Sequence, residues 1–307
     1  MKKIHNLKRN LAAGIALALF FFAGMPQHSL ANVNVRYSVQ PIYPENQRQD
    51  KVGYFNLEVV PGHRQELGVK VQNLGERTIY VEVSANVAYT NNNGVMEYAP
   101  YTHATDMHPA GEQAELFASV AEVKEDLLVI APGEFEIAYM SIHMPDRSLA
   151  GVLVGGFYFV ESFEKQAEAE AAEKSSTPGG GTGVVNCMAY AIPVVLREEG
   201  AIAEPSFELT EVAMDEKYSD ALRITLKNKV ARISHLQNLT VEIYHSSDLQ
   251  TLVETVAKSK IQMAPCAEPT LRLWRDTKES LPAGDYAVVV RFECDKLNYE
   301  LTWELSI

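Results

Sequence analysis

Residues 60–71 read VPGHRQELGVKV, a proline-glycine turn that leads into a strand of alternating apolar and polar side chains. Val69 and Val71 are expected on one face of that strand, because successive side chains of a strand point to opposite faces. The same device returns as APGEFEIAYMSI at 131–142 and as LPAGDYAVVV at 281–290. A turn followed by a half-buried strand at three separate places is typical of an all-β chain.

The alternation extends outward from these turns over most of the sequence. Two near-continuous apolar runs, Gly151–Val160 and Met188–Leu196, favour strands in the centre of a sheet. The closing stretch, Tyr299–Ile307, alternates again. Many short strands separated by Gly, Pro and Asn turns predict an all-β fold of two tandem immunoglobulin-like β-sandwich domains.

The length of 307 residues also fits two domains, at about 150 residues each. One segment, 161–183, departs from the strand pattern with helix formers (EKQAEAEAAEK) followed by a glycine-rich stretch. A strong strand pattern follows at 184–196, so we interpret the segment as a helical, glycine-rich excursion between two strands of the first domain. The charged stretch after it predicts domains at 32–199 and 203–307.

The first 31 residues have the organisation of a cleaved secretory signal peptide. Four cations precede a 14-residue apolar run at 11–24, and Ser29-Leu30-Ala31 provides small residues for cleavage before Asn32. A helix of that length spans about 21 Å, which is short of a hydrocarbon core of about 30 Å. No later stretch is long and apolar enough to span a membrane, so an exported chain with no transmembrane anchor is expected.

The charge balance excludes some classes of partner. The net charge is −13, and removal of the four cations in residues 1–31, which contain no acid, lowers it to −17. A surface this acidic repels nucleic-acid phosphates and anionic lipid headgroups. We therefore expect no nucleic-acid partner.

Catalytic and metal-binding motifs are not found in the sequence. His103, Asp106 and His108 fall close together, but an exposed polar loop explains them better than a metal site, which needs ligands in fixed geometry. The SFEK stretch at 162–165 matches S-x-x-K without the companion motifs of penicillin-binding enzymes. We predict a protein that is not an enzyme, with no metal and no cofactor.

The three cysteines are too few for a disulfide-stapled scaffold. Cys187 lies in an apolar strand pattern, where a buried free thiol is expected. Cys266 and Cys294 both fall in the second domain and form a disulfide candidate in an exported protein. Such a bridge would contribute about 3–4 kcal/mol by closing its loop.

A series of short motifs runs through both halves of the sequence. They are Tyr43-Pro44-Glu45-Asn46-Gln47, Tyr54-Phe55-x-Leu57, Pro61-Gly62, Asn73, Thr90-Asn91-x-x-Gly94 with Tyr98, Gly151–Phe157, Leu226-x-Asn228, Gln262-Met263-Ala264-Pro265, Ala283-Gly284-x-Tyr286 and Trp303. Through these motifs, the stretch from Val39 to Tyr98 resembles the N-terminal domain of the WxL-interacting protein family of Gram-positive bacteria, and the second half is similar to the second domain of that family.

The resemblance implies a non-enzymatic protein of the cell surface, outside the cell and associated with the cell wall. Its first domain would bind peptidoglycan and its second a host or extracellular-matrix protein, and it would associate with WxL-domain surface proteins. Members usually end in a transmembrane helix with a basic tail, whereas this sequence stops at Ile307. Two interpretations of this departure remain open: a truncated sequence, or a member that is released and held only by binding. In either case no transmembrane anchor is expected within the given residues.

A candidate glycan site lies within the first domain, because aromatic rings and short amides are the groups that contact sugar rings, hydroxyls and acetamido groups. An alternative interpretation is structural, since 91–94 is an ordinary hairpin turn, Tyr89 could face the core and Asn46-Gln47 could cap a loop. The residues predicted to bind peptidoglycan are Tyr43, Asn46, Gln47, Tyr54, Tyr89, Asn91, Asn93 and Tyr98.

Two other functions remain open from the residues alone. The first is an exported two-domain chaperone or assembly factor for surface proteins, which would require an exposed edge strand with basic residues. The second is a wall-active hydrolase, which would require a cleft with perturbed carboxylates.

Overall fold

The structure, a computed structural model, describes residues 36–48, 52–100, 111–149, 151–173, 188–198, 200 and 203–307. The predicted signal peptide, the histidines at 103 and 108, Asp106 and Cys187 lie outside the described residues. Arg36–Ile307 forms one compact unit. Within it, two consecutive β-sandwiches confirm the predicted class of tandem immunoglobulin-like domains.

The first sandwich consists of two sheets and a short hairpin. Its strands are β1 (Tyr37–Ile42), β2 (Phe55–Glu58), β3 (Arg64–Asn73), β4 (Ile79–Val87), β5 (Tyr89–Thr90), β6 (Met96–Glu97), β7 (Ala121–Val123), β8 (Leu127–Ile130), β9 (Phe135–His143), β10 (Val152–Glu161) and β11 (Ala189–Arg197). Sheet I has the order β1-β3-β9-β7, and sheet II the order β2-β11-β10-β4-β8. The β2–β11 pair is parallel and the other neighbours are antiparallel.

The second sandwich has two sheets, and both are antiparallel. Its strands are β12 (Phe207–Met214), β13 (Ala221–Asn228), β14 (Ser234–His245), β15 (Asp248–Met263), β16 (Thr270–Trp274), β17 (Asp285–Cys294) and β18 (Leu297–Ser306). Sheet III has the order β12-β13-β16, and sheet IV the order β15-β14-β17-β18. Both tryptophans of the sequence, Trp274 and Trp303, therefore lie in the second sandwich.

Each sandwich encloses its own apolar core. In β3 the alternating side chains of Leu67, Val69 and Val71 are fully buried, as the opening stretch of sequence predicts. They meet buried side chains of sheet II, among them Phe157. In the second sandwich the side chains of β18 that alternate toward the core are partly or fully buried, but the last residue, Ile307, is exposed.

Within the described ranges, two helices belong to the first sandwich. Helix α1 (Gly111–Val120) has no counterpart among the sequence predictions, and helix α2 (Phe163–Glu173) lies in the stretch of strong helix formers. Phe117 of α1 is buried directly over Gly155 of β10. A Cβ atom at position 155 would lie 2.2 Å from the ring of Phe117, so only a glycine gives the helix its place on sheet II.

Strands β10 and β11 are central in sheet II, which confirms the interpretation of their near-continuous apolar sequences. Phe157 and Val194 point into the core of the first sandwich. Val152, Val154 and Val195 are equally buried but belong to a separate apolar cluster on the other side of the sheet. Apolar side chains therefore occupy both faces because both faces are covered.

Candidate functional site

The apolar cluster on the outer face of sheet II is a joint between the two sandwiches. Val152, Val154 and Val195 meet Ala264 and Ala267 of the second sandwich, and each of the five side chains is at most 2% exposed. The remaining members of the cluster are Ala88 and Tyr98, with Tyr54, Met96 and Ile233 partly buried against it. We call this cluster, with the hydrogen bonds described next, the joint.

The hairpin β5–β6 provides one set of polar contacts in the joint. The Thr90 hydroxyl donates to the carbonyl oxygen of Gln262 (3.1 Å) and accepts from the N–H of Ala264 (2.9 Å). The N–H of Gln262 donates to the carbonyl oxygen of Gly94 (2.8 Å). On sheet III, the N–H of Arg272 donates to the carbonyl oxygen of the hairpin residue 92 (2.9 Å). The hairpin thus binds an edge strand of each sheet of the second sandwich.

The turn before β10 provides a second set of contacts. The N–H of Val152 donates to the carbonyl oxygen of Ala231 (2.7 Å). Gly151 has a φ of +121°, and a Cβ atom there would lie 2.2 Å from the same carbonyl oxygen. No other residue type fits this position without moving one sandwich relative to the other.

Several motifs that carry the family resemblance meet at the joint. The Thr90-Asn91-x-x-Gly94 block contacts the Gln262–Pro265 block through the hydrogen bonds described above. The glycine-rich motif that begins at Gly151 contacts the loop that follows Asn228. The motifs from the two halves of the chain therefore share a structural task, which is to hold the sandwiches together.

Three of the predicted glycan residues are buried in or beside the hairpin. Tyr89 and Tyr98 are 4% and 8% exposed, and Asn91 is 8% exposed. The Asn91 side-chain oxygen accepts from the N–H groups of Asn93 (2.9 Å) and Val95 (3.0 Å), and its amide donates to Glu97. The contacts of Asn91 stabilise the hairpin, and burial leaves little of the three side chains accessible to a glycan.

Burial also changes the chemistry of the two tyrosines. Burial, followed by a hydrogen bond of its hydroxyl to Glu97 (3.0 Å), raises the pKa of Tyr89 to about 12. Burial raises the pKa of Tyr98 as well, and proximity to Tyr54 adds to the shift. Both phenols are neutral at physiological pH and serve packing.

Four of the other five predicted residues, Tyr43, Asn46, Gln47 and Tyr54, lie around the β1–β2 loop. The Gln47 side chain donates to the carbonyl oxygen of Tyr54 (3.2 Å) and accepts from the N–H of Asn56 (3.0 Å). The Asn46 amide donates to the carbonyl oxygen of residue 58 (2.8 Å). The Tyr43 hydroxyl accepts from the N–H of Gly53 (3.1 Å), and its ring contacts Phe55 edge-on. These polar groups therefore fix the shape of the loop.

Asn93 is exposed at the tip of the hairpin, while Tyr43 and Asn46 are partly exposed on their loop. Gln47 and Tyr54 are also partly exposed. Binding of peptidoglycan by any of the eight stays a prediction.

The disulfide candidate is wrong. Cys266 and Cys294 are both free thiols. Cys266 lies at the joint, where its N–H donates to the carbonyl oxygen of Val230 (3.1 Å), whereas Cys294 ends β17 inside the second core. Burial raises the pKa of each thiol, so both are protonated and unreactive at neutral pH.

The described residues contain no group of three or more His, Cys, Asp or Glu side chains placed to hold a metal ion. A cleft of about 880 Å³ lies beside the joint, lined by residues of α1, by Arg147 and Ser148, and by Lys229 and Cys266. Its walls carry charges of both signs. Within the part of the chain that the structure describes, no helix has the length and apolar character to cross a membrane.

An exposed aromatic cluster on sheet III was not predicted from the sequence. Trp274 is 52% exposed and packs edge-on against Tyr218 (ring centroids 5.1 Å apart). Lys217 and Arg272 each lie 5.2 Å from the centre of the Tyr218 ring. The alternating pattern TLRLW at 270–274 places Trp274 on the same face as Arg272. This alternation could have predicted that the tryptophan side chain is exposed.

The joint itself was also missed, because no local signal pairs Thr90 with Ala264. The one indication is the continuous apolar sequence of β10, which requires a cover on both faces of sheet II. That sequence does not identify the covering element.

Two family models match the chain. The WxL Interacting Protein peptidoglycan binding domain matches residues 37–161, and the WxL Interacting Protein host binding domain matches residues 180–307. The second match includes β11, although β11 pairs with β10 and β2 in sheet II. No curated protein sequence matches the chain.

Solved structures give distant likenesses. A chaperone–tip adhesin complex of CFA/I fimbriae is 10% identical, over 88% of this chain and 97% of that chain, with a TM-score of 0.34. The YadV chaperone is 10% identical, over 88% of this chain and 100% of that chain, with a TM-score of 0.33. The E. coli chaperone DraB is 10% identical, over 88% and 99%, with a TM-score of 0.32. Likenesses this distant carry no functional conclusion.

Proposed function

Because the chain belongs to the WxL-interacting protein family, we propose that it is an exported, non-enzymatic binding protein of the Gram-positive cell surface. It attaches to peptidoglycan through its first domain and binds a host or extracellular-matrix protein, or a WxL-domain protein, through its second. The two family matches confirm the family predicted from the sequence motifs and describe binding domains, in the same order along the chain.

The observation that carries the proposal is the joint. Buried apolar contact and backbone hydrogen bonds hold the two sandwiches in one compact unit. A first domain attached to the wall therefore presents the second domain in a fixed orientation, as a surface scaffold requires. The proposed domains are 32–199 and 203–307, and two observations support this division: β11 pairs within sheet II and β12 belongs to sheet III.

The proposed glycan contacts are the accessible polar groups on the first sandwich. Asn93 lies at the hairpin tip, and Tyr43 and Asn46 lie on the β1–β2 loop. Amides and phenols of this kind hydrogen-bond to sugar hydroxyl and acetamido groups. Isolated domains are unsuited to the test, since separating them would expose the apolar joint.

The test is sedimentation of the mature chain, residues 32–307, with purified Gram-positive sacculi. We expect retention of the protein and no release of soluble muropeptides over time. Asn93→Ala combined with Asn46→Ala is expected to weaken retention at least tenfold, whereas Asn298→Ala, at an exposed amide of the second sandwich, leaves it unchanged.

Two results would contradict the proposal. Absence of the wild-type chain from the sacculus pellet would overturn binding to peptidoglycan. Release of muropeptides would overturn the non-enzymatic role. Thermal unfolding of each variant checks that a loss of retention is not a loss of folding.

A further inference from the structure

Strand β15 forms a long free edge of the second sandwich. It spans 16 residues, Asp248–Met263, whereas strands of about 5–6 residues are usual. It is the outermost strand of sheet IV, and β14 is its neighbour on one side. An unpaired strand edge presents a row of backbone N–H and C=O groups that another extended segment can pair with.

One end of this edge already accepts a segment from outside the second sandwich. The N–H and C=O groups of Gln262 both bond to the β5–β6 hairpin of the first sandwich. Among the described residues, none forms such a backbone bond to the edge between 253 and 260. Only a side chain is engaged there: the Glu254 carboxylate accepts from the Arg275 guanidinium (2.7 Å) and from the N–H of Thr277 (3.4 Å). The free part of the β15 edge is therefore continuous with the part that already pairs with the β5–β6 hairpin.

The faces of β15 indicate which backbone groups point outward. The exposed side chain of Gln262 accompanies an N–H that points away from β14. Residues on the same face of one strand direct their N–H groups to the same side. Val256 is buried in the core, whereas Thr255 and Ala257 have exposed side chains like Gln262. Thr255 and Ala257 thus present their N–H groups to the free edge.

The side chains along the edge define the chemistry of an occupant. At the start of β15, Leu249, Leu252 and Val253 are 63%, 49% and 36% exposed. Further along, Lys258 and Lys260 form no ion pair with any residue in the described ranges. A fitting strand would carry apolar side chains at one end and carboxylates at the other. A second copy of the chain fits poorly, because each mature chain has a net charge of −17.

We propose that β15, from Val253 to Lys260, accepts an extended strand from a partner protein, with acidic residues beside the lysines. The added strand would lengthen sheet IV on the side where the hairpin already bonds to Gln262. This inference rests on the proposed function, since it identifies the surface through which the second domain binds its protein partner.

The test measures binding of the mature chain to a recombinant WxL-domain protein as the probe. Ala257→Pro removes an N–H at the free edge and leaves the ladder to β14 in place. We expect it to weaken binding at least tenfold. The matched control, Ala257→Ser, changes the side chain but keeps the N–H and should bind like the wild type.

Charge gives a second variant. Lys258→Glu combined with Lys260→Glu is expected to weaken binding at least tenfold at low ionic strength, and the wild-type affinity should fall as salt is added. Hydrogen exchange on the unmodified chain gives a readout that does not depend on the folding of any variant. The amides of residues 253–259 should exchange more slowly in the complex.

The outcomes separate two failures. No binding by the wild-type chain would overturn the proposed partner, and this inference with it. Binding without slower exchange at 253–259, together with full binding by folded Ala257→Pro, would overturn the edge-strand inference and leave the proposed function standing.

Discussion

Each sandwich has a corner that is built on a buried asparagine, and the two corners have the same arrangement of hydrogen bonds. Asn73 ends β3, and its amide donates to the carbonyl oxygens of Arg77 (2.8 Å) and Ile130 (2.9 Å). Its side-chain oxygen accepts from the N–H of Gly75 (2.9 Å). The amide therefore closes the following loop and ties the end of sheet I to β8 of sheet II.

Asn228 repeats the arrangement at the end of β13. Its amide donates to the carbonyl oxygens of Arg232 (2.8 Å) and Ala264 (3.0 Å), and its oxygen accepts from the N–H of Val230 at a longer 3.4 Å. The spacing of two and four residues along the chain is the same in both corners. Both asparagines are fully buried.

The corners differ in the loop that each one closes. The loop after Asn73 is largely exposed, and Leu74 in it is 52% exposed. The loop after Asn228 contacts the first sandwich, because the carbonyl oxygen of Ala231 accepts from Val152. One corner thus completes a single sandwich, whereas the other also builds the joint.

Among the substitutions that test this difference between the corners, Gly151→Ala should destabilise the protein most. It places a Cβ atom against the carbonyl oxygen of Ala231 and strains a backbone that only glycine adopts readily, at a cost of about 4 kcal/mol. We expect the sandwiches to lose their contact and to unfold in two calorimetric transitions. Tryptophan fluorescence follows the second sandwich alone, since Trp274 and Trp303 both lie there.

Gly133→Ala is the matched control for that substitution. Gly133 has a φ of +77°, and nothing lies within 4 Å of the added Cβ atom. The loss of stability in Gly133→Ala therefore measures backbone strain without a steric clash. We expect about 1 kcal/mol of destabilisation and a single transition. Equal losses for the two variants would show that the contact at Gly151 does not hold the sandwiches together.

Replacement of the corner asparagines should cause the next largest loss of stability. Asn73→Ala and Asn228→Ala each leave buried carbonyl groups without donors, and each should cost about 3 kcal/mol. The Asn228 variant should lose more, because its loop also belongs to the joint. Denaturant unfolding, followed by circular dichroism and by tryptophan fluorescence, measures both.

The comparison predicts a specific difference between the two asparagine variants. Fluorescence should detect Asn228→Ala at a lower denaturant concentration than Asn73→Ala. Identical curves from both probes would indicate that the two corners are energetically equivalent, against the role of Asn228 in the joint.

The parts of the fold that follow local rules could be predicted from the sequence. Side-chain alternation identified β3 and β18, and the continuous apolar runs identified β10 and β11 as central strands. Helix α1 was not predicted, because its place depends on Phe117 filling the space above Gly155 on a distant strand. No window of local sequence contains that contact.

The candidate site was harder to predict for the same reason. Thr90 and Ala264 are 174 residues apart, and their hydrogen bond exists only because the two sandwiches pack together. Aromatic and amide residues near the hairpin therefore indicated a ligand surface, whereas Tyr89, Asn91 and Tyr98 are buried. Composition identifies groups that could bind a sugar, but burial decides whether a sugar can reach them.

Thr90→Val should have a smaller effect on the joint. It removes a hydroxyl that donates to Gln262 and accepts from Ala264, at a cost of about 1.5 kcal/mol. Calorimetry should show one transition at a lower temperature, since the apolar cluster remains. Thr302→Val, at an exposed position of β18, is the control and should change little. A Thr90→Val chain as stable as the control would exclude a contribution from this hydroxyl.

The smallest expected effect is on the pH dependence of stability, which should differ between the two sandwiches. Burial alone would raise the pKa of Asp215, but the Arg272 guanidinium (2.7 Å) and the N–H groups of Lys217 and Tyr218 outweigh it and hold the pKa below its usual value. The pKa values of Glu242 and Asp248 are also lowered, mainly by hydrogen bonds from Tyr244 and Thr251, respectively. All three carboxylates lie in the second sandwich.

A carboxylate with a lowered folded-state pKa stabilises the fold fully above its unfolded pKa, near 3.9, and loses that contribution as the pH falls through the folded value. The second sandwich should therefore weaken below about pH 4 more steeply than the first. Asp215→Asn should cost about 1 kcal/mol at pH 7 and progressively less at lower pH. Denaturant midpoints from tryptophan fluorescence between pH 7 and pH 2.5 measure this. A constant gap between the wild type and Asp215→Asn over that range would mean that the carboxylate acts through its shape and hydrogen bonds and not through its charge.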